Sequence, residues 1–115
     1  MHHKEHAQSC IELFGAPFDE IHSFLDQFWA KYRISHRRLL HHWLGIELIV
    51  KQFGKEARAP AELHIIQDLG CIPRTWIDHD PFTVYLERWD REQQEEDWVR
   101  LYGQEKYDEV TRSNR

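Results

Sequence analysis

From Phe28 to Phe53 the residues Phe28, Tyr32, Leu39, Trp43, Ile46, Val50 and Phe53 are spaced by three, four or seven and share one face of a helical wheel. Strand-type alternation is nearly absent along the whole chain. A chain with this pattern has to bury a helical stripe against other helices. The expected fold is therefore all-α, an irregular bundle of four or five helices with an acidic C-terminal helical segment or tail. Three of the nine histidines, His36, His41 and His42, interrupt that same stretch. A histidine on an apolar face fills a core badly unless it is hydrogen-bonded or serves as a ligand or proton carrier.

Turn residues divide the rest. Lys4 to Phe14 reads as an amphipathic helix with Ala7, Cys10, Ile11 and Phe14 on one face, closed by Gly15. Pro17 opens a second helix, where Asp19 and Glu20 suit the helix dipole and a bend near Asp26 is compatible with the pattern. Gly54 stops the long spine. A helix from Pro60 to Leu69 ends at Gly70, and Pro73 prevents its continuation. Asp80-Pro81 is a helix start that would turn Phe82, Val84, Tyr85, Trp89, Trp98 and Leu101 inward. Beyond Gly103 the large apolar residues are Tyr107 and Val110, too few to offset about 1–2 kcal/mol of backbone entropy per residue. The expected organisation is one helical domain over 1–103, histidine-rich over 1–77 and acidic and aromatic over 78–103, with 104–115 a disordered tail.

The formal charge of −5 belongs to the C-terminal third. Residues 1–76 carry 9 acidic and 9 basic side chains, and residues 77–115 carry 11 and 6. No basic face invites a nucleic-acid backbone. No apolar run approaches the roughly 18 residues of a membrane span, and two cysteines form no zinc pair or disulfide framework, so a cytoplasmic location is expected. Phosphate loops, nucleophile elbows and dinucleotide fingerprints are absent from the sequence.

On a continuous spine helix at about 100° per residue, His36 lies about 45° and His42 about 75° from the centre of the apolar stripe. His41 falls almost opposite, towards water. His64 and Asp68 stand four apart on the next helix, where an imidazole and a carboxylate share one face and can hold one cation together.

The sequence resembles a family of short, uncharacterised, histidine-rich helical proteins of bacteria and phages. The resemblance rests on His6-Ala7, Phe14-Gly15, Ile21-His22 with Asp26, His36-Arg37, His41-His42, Gly45-Ile46, Glu62-x-His64, Asp68-Leu69-Gly70 and Ile72-Pro73. It covers about residues 5–77 and implies a shared site without naming a substrate. It favours His6 as the N-terminal participant, over His2 and His3, and implies that His41 and His42 matter together.

The expected site is thus one divalent transition metal ion, Zn, Fe or Mn, with His6, His36, His42, His64 and Asp68 as donors from several helices. An open position on that ion would support a metal-dependent hydrolase. The alternative from another class is a non-enzymatic interaction protein that binds a protein partner through its acidic, aromatic residues 78–103.

Overall fold

The computed structural model describes residues 3–76 and 88–113. Among these there is no strand. The helices are α1 (His3–Phe14), α2 (Asp19–Leu25), α3 (Trp29–Tyr32), α4 (Arg37–Leu40), α5 (Trp43–Phe53), α6 (Arg58–Leu69), α7 (Arg88–Tyr102) and α8 (Gln104–Ser113). Short 3-10 turns at Arg33–His36 and Lys55–Ala57 join α3 to α4 and α5 to α6. The fold is an irregular all-α bundle, and no described helix is long and apolar enough to cross a membrane.

Glycine ends three of these helices as the sequence indicates. Gly15, Gly54 and Gly70 follow α1, α5 and α6 with φ of 82°, 98° and 81°, backbone that other residues adopt only with strain. Ile21, Leu25, Leu39, Leu40, Ile46, Ile49 and Ile65 form the apolar centre with Trp76 and Trp98. Each fully buried aliphatic side chain among them contributes about 1.5–3 kcal/mol of transfer free energy.

The long spine is not one helix. Arg33 has φ 55° and ψ −131°, and the pair His41 (φ −81°, ψ 63°) and His42 (φ −162°, ψ 177°) leaves helical geometry altogether. Each break resets the rotation of the next segment about its axis. Positions read from one continuous wheel therefore lose their phase after Tyr32.

The C-terminal segment also departs from expectation. Residues 104–115 were expected as a disordered tail, yet Gln104–Ser113 is helical. The Tyr107 ring stacks on Trp76 at 5.9 Å, and Trp76 stacks on Trp98 at 4.8 Å. Two apolar residues on one face suffice here because they extend an existing aromatic stack rather than nucleating a core. Beside Trp98, α7 carries a buried polar seam. Asp97 accepts from Lys31 at 2.9 Å and Tyr32 at 2.5 Å, and Gln94 bridges Arg38 and Ser35. Asp80-Pro81, the side chains of Phe82, Val84, Tyr85 and Trp89, and residues 78–87 of the expected partner surface lie outside the described residues and side chains.

Candidate metal centre

Six histidines, His6, His22, His36, His41, His42 and His64, are buried at 4% exposure or less. Five of them gather with Asp26 and Asp68 between α1, α2, α4 and α6. His64 and Asp68 come from one face of α6, as their spacing predicts. Asp26 directly follows α2, and its N–H is held by the His22 carbonyl. His41 sits at the turn between α4 and α5. Asp26, His41, His64 and Asp68 each offer one ligand atom, and those four atoms lie within 4.8 Å of one another.

His41 Nε2 stands 3.0 Å from Asp68 Oδ2 and 3.5 Å from Asp26 Oδ1, and His64 Nε2 stands 3.3 Å from each. Bonds of about 2.0–2.2 Å from one ion to nitrogen and oxygen donors give tetrahedral edges of about 3.3–3.6 Å. Three of these four edges fall in that range and the fourth just below it, and the other two of the six are no longer than 4.8 Å. This group could hold a metal ion.

The hydrogen bonds around the rings say more, because a carbonyl can only accept. Pro17 O lies 2.9 Å from His22 Nε2, so that nitrogen carries the proton. His22 Nδ1 then presents its lone pair to His64 Nδ1 at 2.9 Å, and His64 must donate there. The neutral His64 ring is left with a bare Nε2 lone pair, and that lone pair faces two carboxylate oxygens. Similarly, Arg33 O accepts from His36 Nδ1 at 2.7 Å, which aims the bare Nε2 of neutral His36 at Asp26 Oδ1, 3.1 Å away. Acceptor against acceptor at these distances repels unless a proton or a cation lies between them.

Backbone strain coincides with those carbonyls. Phe18 (φ 54°) and Arg33 (φ 55°) are the non-glycine residues with positive φ among those described. Arg33 supplies the carbonyl that orients His36, and Phe18 immediately follows the carbonyl that orients His22. Such backbone costs on the order of 1–3 kcal/mol and persists where the surroundings impose it.

The electrostatics follow the same geometry. Burial opposes ionisation of Asp26, yet the facing histidines, His36 and His64 first, hold its carboxyl far below the usual range. Asp68 is held down likewise, against burial, by His41, His6 and His64. Burial, then His64 and His6, push the His22 pKa down to about 4. Burial pushes His41 down to about 3 although Asp68 pulls the other way. Burial also works against protonated His64, but Asp26 and Asp68 outweigh it and raise its pKa. The two carboxylates thus favour a positive charge at His64 Nε2.

Of the donors expected from the sequence, His64 and Asp68 are in the group. His36 borders it through Asp26. His6 stacks on His64 at 3.8 Å and lies 3.1 Å from Asp68 Oδ1, the oxygen turned away from His41 and His64. Its other nitrogen lies 2.9 Å from Gln67 Oε1, so His6 lies beside the group without entering it. His42 is placed elsewhere. It caps α5, accepting from the Gly45 N–H at 3.2 Å while its Nε2–H donates to Arg38 O at 3.1 Å, which uses both nitrogens. His41, expected to face water, is fully buried in the centre, because the turn at His41-His42 swings it inward. Asp26 was missed as a donor. Its signal was present, since His22 and Asp26 stand four apart just as His64 and Asp68 do.

The sequence model of a family described as Domain of unknown function (DUF6915) matches residues 1–99. The chain belongs to this family. Comparison with curated proteins and with solved structures finds no match. The span matched by DUF6915 includes all four grouped donors and the residues that orient them, together with α7 as far as Val99.

Proposed function

We propose that this protein binds one divalent transition metal ion through Asp26, His41, His64 and Asp68, with His36 as a further donor beside Asp26, and that the loaded centre is hydrolytic. The observation that carries the reading is His64. Its Nδ1 is committed to His22, and its Nε2 lies 3.3 Å from both carboxylates, an arrangement that a cation satisfies and a neutral ring alone does not. Mixed nitrogen and oxygen donors suit Zn²⁺, Fe²⁺ or Mn²⁺. Four protein donors close a tetrahedral zinc, whereas an ion that accepts six keeps a position for water beside those four and His36 and can acidify it for attack on an ester. The side chain of Asp26 is 29% exposed and that of Asp68 only 3%, so solvent meets the centre on the Asp26 side.

The ion would tie α2, the α4–α5 turn and α6 together in the native state alone. Chelation should therefore lower the melting temperature. A loss of about 2.7 kcal/mol is expected when free ion had stood at 100 times its Kd, and added Zn²⁺, Fe²⁺ or Mn²⁺ should restore it. An identical melt with and without chelator, for protein grown in metal-supplemented medium, counts against the reading.

A further inference from the structure

Among the described residues, Arg37 is a cation next to this centre that the donor set does not use. Its side chain is 15% exposed, and Nη2 stands 3.7 Å from Asp68 Oδ1, beyond hydrogen-bonding range. Its Nε is buried and has no hydrogen-bond partner. A buried guanidinium N–H without an acceptor carries the full cost of its lost hydration. The charges point the same way. With neutral histidines, Asp26 and Asp68 cancel a divalent ion, and Arg37 adds a positive charge beside it in a largely buried setting. The neighbouring cations are otherwise engaged: Arg38 lies over Trp98 at 4.8 Å and donates to Gln94, and Arg33 lies over Trp29 at 5.8 Å.

We propose that the loaded centre takes an oxyanion, a phosphate or carboxylate group of its ligand, with one oxygen on the metal and another held by the Arg37 guanidinium. Asp68 Oδ2 belongs to the metal group and Asp68 Oδ1 faces Arg37, so the guanidinium stands one carboxylate's width from the ion. An oxyanion is of similar width and presents two oxygens to the two positive groups. The planar fork of arginine can grip two further oxygens of a phosphate, or donate to the one carboxylate oxygen that the metal leaves free. This assignment rests on the metal reading and adds the chemical class of what that metal binds.

The test is calorimetric titration of inorganic phosphate, and separately of acetate, into the full-length chain with its metal content measured beforehand. The wild-type loaded protein should bind phosphate or acetate, and the preferred anion assigns the ligand class. Arg37→Gln should weaken that binding at least tenfold at equal metal content. Arg37→Lys keeps the charge but not the fork and should fall between. It serves alone if the glutamine variant does not fold, and unchanged affinity in it then overturns the proposal. Equal affinity in wild type and Arg37→Gln also overturns it. A loaded protein that binds neither anion overturns it and leaves the metal reading standing. A protein that takes up no metal removes both.

Discussion

Replacing Gly45 by alanine sets two effects of opposite sign against each other. Gly45 lies within α5, where alanine is normally better than glycine by about 1 kcal/mol, so propensity alone predicts stabilisation. The geometry predicts the reverse. A Cβ at position 45 would stand 1.8 Å from the Leu40 carbonyl oxygen, 2.6 Å from its carbon and 2.8 Å from its Cα. All three are backbone atoms, so no rotamer change relieves the contact, and α5 must move away from the end of α4. Overpacking of this kind costs about 1–3 kcal/mol or more. The same shift strains the hydrogen bond from the Gly45 N–H to His42, worth about 1 kcal/mol. The net expectation is destabilisation by about 2 kcal/mol or more, or a fall of roughly 5–10 °C in melting temperature for a domain of this size. Because the displaced turn carries His41, metal content should fall as well. Thermal melts with metal analysis read both. A Gly45→Ala protein that melts at or above wild type with full metal content would falsify the account of this turn.

The two adjacent histidines should separate cleanly. His41→Ala should strip most bound metal, whereas His42→Ala should cost about 1–2 kcal/mol through the lost helix cap and still load metal in its folded fraction; the reverse pattern in metal analysis would show that the helical phase is misassigned. Acid should weaken the metal-free protein. His22 and His41, lowered to about 4 and about 3, stay neutral when folded but take up protons when unfolded, at about pH 6.5, so stability falls as pH drops from about 6.5 towards 4. His64, raised when folded, contributes stability that is fully present below its unfolded value and lost as pH rises through its folded one, so it changes little over this window. The depressed carboxyls of Asp26 and Asp68 keep their stabilisation above about pH 3.9 and lose it only below. Melts of chelated protein at pH 6.5 and 4.5 should differ in that direction; equal or rising stability at pH 4.5 would contradict the burial of neutral His22 and His41.

The helix ends were legible because glycine marks them chemically, as at Gly15, Gly54 and Gly70. The His64 and Asp68 pair was legible because both lie on one unbroken helix, where spacing translates directly into a shared face. What failed was phase. The apolar period runs on through 28–53, so nothing in it reports that Arg33 adopts positive φ or that the chain turns at His41-His42. His41 thus reads as solvent-facing although it is buried, and His42 reads as a flank ligand although it caps α5. Gly45 was the available hint, a glycine inside an apolar helix that marks close backbone approach. The helix over Gln104–Ser113 was hidden for another reason. Tyr107 docks on Trp76, a contact between residues far apart in sequence.

The central claim is that one metal ion sits among Asp26, His41, His64 and Asp68. Elemental analysis of the full-length chain, purified without a histidine tag after growth with Zn, Fe and Mn and then dialysed, tests it most directly. The account predicts about one equivalent of a transition metal per chain, lost in Asp68→Asn under the same treatment. A cooperatively folded wild-type protein that retains no metal would contradict it, and would leave partner binding through residues 78–103 as the better reading.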